Sequence, residues 1–198
     1  MGLRYAGVEL ELREIQLNNK PVDMLKLSTK GTVPVLRLDS GEVLEESRDI
    51  LKWALQQNDP DNWQRAENSA VQFEMAKLVT QNDDDFKAWL DRYKYGDQYP
   101  ENSQIYYRDQ GLSFLKILDK QLSHSSFLFG TTLSWADIAI FPFVRQFAYV
   151  DKDWFDSQDL ICLQAWLTTQ LNSDLFLSVM HKHPPWNAGD KALYFSKA

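Results

Sequence analysis

The sequence predicts a small α/β unit followed by an all-helical unit. Three observations carry this. Residues 8–44 hold short apolar runs of strand type, one of them alternating with period two. From about residue 63 onward the apolar residues recur with helical spacing. Between the two stands Asn58-Asp59-Pro60-Asp61-Asn62, which has neither pattern and reads as a linker.

Taken in order, Met1 to Ala6 read as the last turns of a helix, with Gly7 at the position where a left-handed residue ends one. Val8-Glu9-Leu10-Glu11-Leu12 alternates as a half-buried strand, and Ile15 and Leu17 continue it after a phase slip. Pro21 suits the first turn of a short helix, Val22 to Leu27. Pro34 to Leu38 and Glu42 to Leu44 form two strands joined through Asp39-Ser40-Gly41, where glycine supplies a positive φ. Ser47 is expected to cap a helix that carries Ile50, Leu51, Ala54 and Leu55 on one face. Beyond the linker, helices are expected near 63–92, 101–122, 134–149, 157–171 and 173–182. Asp83-Asp84-Asp85 is expected as a solvated, acidic interruption of the first of these, since no glycine-bearing calcium loop surrounds it. Ser134 and Asp137 have capping-box spacing, with Asp in place of the usual Glu or Gln, and Leu133 and Ile138 are spaced for a hydrophobic staple.

Composition narrows the classes. The chain has 198 residues and a net charge of -7. That sign excludes a dominant electrostatic attraction to nucleic acid or to an anionic membrane. Tyr93, Tyr95, Tyr99, Tyr106 and Tyr107, interleaved with Arg92, Lys94 and Arg108, have the look of a base-stacking surface, but the acidic total opposes it. No apolar run is long enough to span a bilayer, and Met1 to Ala6 lack the apolar core of a secretory signal. The single cysteine, Cys162, forms no intrachain disulfide and reads as a core thiol, so a cytoplasmic location is expected. His181 and His183, two apart, do not share a helical face, so exposed imidazoles are expected there and no metal site.

The stretch "KGTVPVLRLDSGEVLEES" carries the chemistry. Proline cannot donate to a sheet ladder, so Pro34 belongs at a strand start and leaves the backbone of Val33 to pair with something else. A peptide-like ligand fits that N–H and C=O. Ser47 offers a hydroxyl beside the free N–H groups of a helix start, which suits a carboxylate. Glu46 offers a negative charge to an ammonium group. A plain helix cap accounts for Glu46 and Ser47 alone; the neighbouring Val33-Pro34 turns the balance toward a zwitterionic amino-acid head followed by a peptide.

This stretch closely resembles the glutathione-binding half of the glutathione transferase family. "SWADIAIFPFVRQFA" is similar to the signature helix of that family's C-terminal domain, and "FKAWLDRYKYGDQYPE" resembles a bacterial, unassigned subgroup. The resemblance implies a thioredoxin-like α/β domain over 1–57, a linker over 58–63 and an all-α domain over 64–198. It implies that Val33, before a cis Pro34, pairs with the cysteinyl backbone of glutathione, and that Glu46 and Ser47 hold the γ-glutamyl group. Lys30 matches a residue contacting the glycyl end. Trp89 and Tyr93, i,i+4 neighbours, are candidates for the pocket of a second substrate. Glutathione as co-substrate, a small electrophilic or disulfide substrate, no metal and a homodimer are implied too. The family's catalytic Tyr, Ser or Cys lies in or just before a first helix that follows a first strand. Only six residues precede Gly7, so the resemblance implies a truncated N-terminus and leaves the catalytic residue unknown. Tyr5 stands at the wrong end of the helix to inherit the role. Two classes follow: a glutathione-dependent transferase, or a binding or regulatory module of the same fold without chemistry.

Overall fold

The computed structural model describes residues 1–195. Met1–Asp61 forms one unit together with the chain from Asp174 onward, and Asn62–Ser173 forms the other.

The first unit begins with α1 (Gly2–Tyr5), which ends at Gly7 in the left-handed region, φ 67°. A two-residue strand, β1 (Leu10–Glu11), and α2 (Val22–Leu27) follow. The hairpin is β2 (Leu36–Arg37) and β3 (Val43–Leu44), antiparallel with Leu36 opposite Leu44. Its turn closes where the Gly41 N–H donates to the Leu38 carbonyl at 2.9 Å, with Gly41 at φ 89°. These strands are shorter than the sequence predicts. α3 (Ser47–Gln57) buries Ile50, Leu51, Ala54 and Leu55, the predicted face. Its cap differs from expectation. Glu46 is the capping residue and its carbonyl accepts the first helical bonds, from Asp49 and Ile50 at 3.0 Å each. Ser47 is already helical, so its hydroxyl is not spent on the helix.

In the second unit the long first helix divides. α4 (Ser69–Gln81) runs into a π-helical turn, Asn82–Phe86, and then into α5 (Lys87–Lys94). The acidic triplet sits on that turn, which is the physical form of the expected interruption. α6 (Gln104–Leu122), α7 (Trp135–Ala148), the short α8 (Lys152–Asp156) and α9 (Ile161–Leu171) complete the unit. No apolar period announces α8; the Asp151 carboxylate, accepting from the Trp154 N–H at 3.0 Å, nucleates it. The core centres on Phe147, with ring centroids of Phe86 and Tyr93 at 5.3 and 4.9 Å. Ser134 and Asp137 form the predicted capping box at the start of α7. Asp137 is fully buried. Its Oδ2 accepts from the Ser134 N–H (2.9 Å) and hydroxyl (2.6 Å), and its Oδ1 from the Leu128 N–H and the Trp166 indole N–H, both 2.9 Å. Burial pushes this carboxyl above the usual aspartate range, opposed by the four donors.

The chain then returns to the first unit. α10 (Asp174–Val179) packs on α1, and β4 (Tyr194–Phe195) pairs antiparallel with β1, Leu10 opposite Phe195. This differs from the predicted boundary, which places everything after residue 64 in the helical domain. The reason is the open ladder edge of β1: the Leu12 N–H donates to the Leu193 carbonyl at 2.7 Å, and the Trp186 N–H to the Glu14 carbonyl at 2.8 Å. Arg13 lies 4.4 Å from the Trp186 ring and Arg4 4.7 Å from the Phe195 ring.

Candidate functional site

The peptide bond between Val33 and Pro34 is cis. Val33 is 48% exposed, and its backbone N–H and C=O make no hydrogen bond among the described residues. Ser47 is exposed at the first position of α3, and its hydroxyl has no partner among the described residues. Lys30 Nζ donates to Glu46 Oε1 at 2.7 Å. This ion pair ties the loop before Val33 to the start of α3, and so brings together two of the predicted segments that are far apart in sequence. The Glu46 carboxylate in turn holds the Lys30 ammonium above the usual lysine range. Both groups are exposed, so the pair contributes little to stability. What the arrangement offers is an unpaired peptide edge, a hydroxyl at a helix start, and a carboxylate whose present cation is exchangeable. Ser28, buried just before this loop, keeps its hydroxyl without a hydrogen-bond partner.

Tyr5 is elsewhere in the first unit's chemistry. Its hydroxyl donates to Asp59 Oδ1 at 2.9 Å and accepts from the Asp61 N–H at 2.8 Å. Burial, with the Asp59 and Asp61 carboxylates nearby, pushes its pKa far above the ordinary tyrosine value. The phenol is a tie to the linker.

In the second unit the structure separates the two predicted pocket residues. Trp89 lines an open cleft of ≈ 600 Å³ together with Asp84, Asp85, Arg92, Tyr99 and Glu101; Tyr106 and Tyr107 close its α6 side. Tyr93 is 3% exposed and packs beneath, against Phe147. The tyrosine count of this region is plain in the sequence. Its sorting between cleft and core is not, because it depends on the helix phase after the π-helical turn. Cys162 is a half-buried free thiol on α9. His181 and His183 stand edge to face, centroids 4.8 Å apart, and no group of three or more His, Cys, Asp or Glu among the described residues is arranged to hold a metal ion. No helix among the described residues is long and apolar enough to cross a membrane.

Residues 1–63 match the model of the glutathione S-transferase N-terminal domain, and residues 82–169 that of the glutathione S-transferase C-terminal domain. Solved structures agree. A ternary complex of BphK, a bacterial glutathione S-transferase, is 25% identical with TM-score 0.70, over 89% of this chain and 88% of that one. A sphingomonad glutathione S-transferase complexed with glutathione is 24% identical with TM-score 0.72, again over 89% and 88%. A glutathione S-transferase from Xylella fastidiosa, 19% identical, has TM-score 0.75 over 89% and 88%. At the lower two identities the likeness concerns the fold. No curated protein sequence matches the chain.

Proposed function

Because the chain belongs to the glutathione S-transferase family, we propose that it binds glutathione along the Val33–Pro34 edge and the start of α3, and presents the thiol to a small electrophile or disulfide. The carrying observation is the exposed, unpaired backbone of Val33, in a loop that the Lys30–Glu46 ion pair ties to the start of α3. Val33 pairs with the cysteinyl peptide as one strand pairs with another. Ser47 and the helix start receive the γ-glutamyl carboxylate, where N–H groups and the helix dipole favour negative charge. Glu46 receives the γ-glutamyl ammonium, which displaces Lys30; the freed Lys30 turns to the glycyl carboxylate. Trp89 contributes to the pocket of the second substrate, over the buried Tyr93. The protein acts as a homodimer in the cytoplasm, and a mass measured in solution tests the dimer.

One observation favours a second reading, a glutathione-binding module without chemistry. The Tyr5 hydroxyl is engaged with Asp59 and Asp61, and its raised pKa makes it a poor stabiliser of a neighbouring thiolate.

Calorimetry with glutathione tests binding. Ser47→Ala and Glu46→Ala are each expected to weaken it by about 1–3 kcal/mol, because a charged ligand group loses its hydrogen-bond partner. Unchanged affinity in both variants sinks the site. Turnover of a chromogenic electrophile by the same protein separates the two readings: binding with turnover is the transferase, binding without it is the module.

A further inference from the structure

The cleft of the second unit touches none of the residues assigned to glutathione, and we propose that it is a binding site for an organic cation carrying a flat ring. Its dimensions fit a small molecule. One wall is aromatic: the half-buried Trp89 and the exposed Tyr106 face the cleft, both backed by the buried Tyr107, with centroids 6.4 Å and 5.7 Å from its ring. Ring faces of this kind attract cations and stack on flat ligands.

The cleft already displays that chemistry with a cation of its own. The Arg92 guanidinium carbon lies 5.6 Å from the Trp89 centroid and 5.3 Å from that of Tyr99. One guanidinium N–H is anchored to the Ala88 carbonyl at 3.0 Å, so the group sits at the inner wall. It does not balance the charge. Asp84, Asp85 and Glu101 line the same cleft, three carboxylates to one guanidinium. Asp84 and Asp85 make no ion pair or side-chain hydrogen bond among the described residues. Glu101 is oriented by the Tyr107 hydroxyl, which donates to its Oε2 at 3.2 Å. Both aspartates sit on the π-helical turn, a kind of irregularity that recurs at functional sites. Excess negative charge beside aromatic faces selects against an anionic ligand and for a cationic one.

Trp89 belongs both to this cleft and to the second-substrate pocket proposed above, so the inference rests on that reading for the place of the second substrate; it is tested without glutathione, so its failure leaves glutathione binding at Val33, Glu46 and Ser47 standing, and the reverse. The full chain is titrated by calorimetry with phenyltrimethylammonium, with benzenesulfonate and with benzyl alcohol. One saturable site is expected for the cation, at least about tenfold tighter than for either comparison ligand, and weakening with added salt. The double variant Asp84→Asn, Asp85→Asn is expected to bind the cation about three- to tenfold more weakly and to lose most of the salt dependence. Both positions are exposed, so packing is unaffected. Trp89→Leu is expected to weaken binding to a similar degree while leaving the salt dependence in place. The proposal is overturned if no saturable binding of the cation occurs by about 10 mM. It is equally overturned if benzenesulfonate or benzyl alcohol binds as tightly as the cation, or if the double variant matches the parent.

Discussion

Asp137 concentrates more consequence in one side chain than any other residue of the helical unit. A capping box alone ties two groups; here one buried carboxylate receives four donors from Leu128, Ser134 and Trp166. Asp137→Ala leaves them all without an acceptor in a dry site, and each unsatisfied buried donor is costly. The expected loss is about 3 kcal/mol or more, above the roughly 0.5–2 kcal/mol of an ordinary lost cap. A chemical-denaturation midpoint unchanged from the parent contradicts it. Tyr93 gives a prediction in pH. Burial, helped by the Asp151 carboxylate, pushes its pKa up to about 12. The folded chain therefore holds this proton more tightly than the unfolded chain, whose tyrosine titrates near about 10. Its contribution is whole below that value and is lost as pH rises toward 12. Tyr93→Phe, whose parent hydroxyl has no hydrogen-bond partner among the described residues, is expected to be close to neutral at pH 7. It should also show a shallower fall in stability between pH 10 and 12. Parallel pH profiles for the two proteins refute this.

Among elements, the approach of Phe147, on α7, to the backbone of α6 depends on a missing methyl group. A Cβ at Gly111 meets Phe147 Cε2 at 2.5 Å, and Phe147 has no freedom to move, being fully buried between Phe86 and Tyr93. Helix propensity alone makes Gly→Ala favourable by about 1 kcal/mol. Overpacking costs about 1–3 kcal/mol and acts in the other direction. Gly111→Ala is expected to lower the melting temperature, and a rise shows that the helices separate freely. The π-helical turn is decided at this scale too. Without its extra residue, α4 and α5 form one helix, and the phase that puts Trp89 in the cleft and Tyr93 in the core is lost.

Across the whole molecule, the most consequential link is the one from the C-terminal segment to β1. The strand pair is two residues long, and Tyr194 is exposed, so its strength comes as much from Arg13 on Trp186 and Arg4 on Phe195 as from the ladder. A chain ending at His183 loses all three. Hydrogen exchange is then expected to accelerate at Leu12, whose N–H bonds to Leu193, and to stay unchanged in α6 and α7. Equal protection at Leu12 in the two chains shows that the segment does not secure the strand.

What the sequence by itself determined lies within one turn of helix or one hairpin. The buried face of α3 follows from the spacing of Ile50, Leu51, Ala54 and Leu55, the hairpin turn from Gly41, the α7 start from Ser134 and Asp137, and the family from "TVP" and "EES". These are short-range effects of propensity, dihedral freedom and side-chain capping, and they act wherever the segment goes. Tertiary structure alone decided what lies across the chain. It set the partner of β1, the ion pair of Lys30 with Glu46, the two extra donors on Asp137, and the sorting of Trp89 from Tyr93. None of these has a local signal. Each is settled when separate segments compete to satisfy the same backbone edge, carboxylate or apolar space, and the winner is whichever leaves the fewest buried groups unpaired.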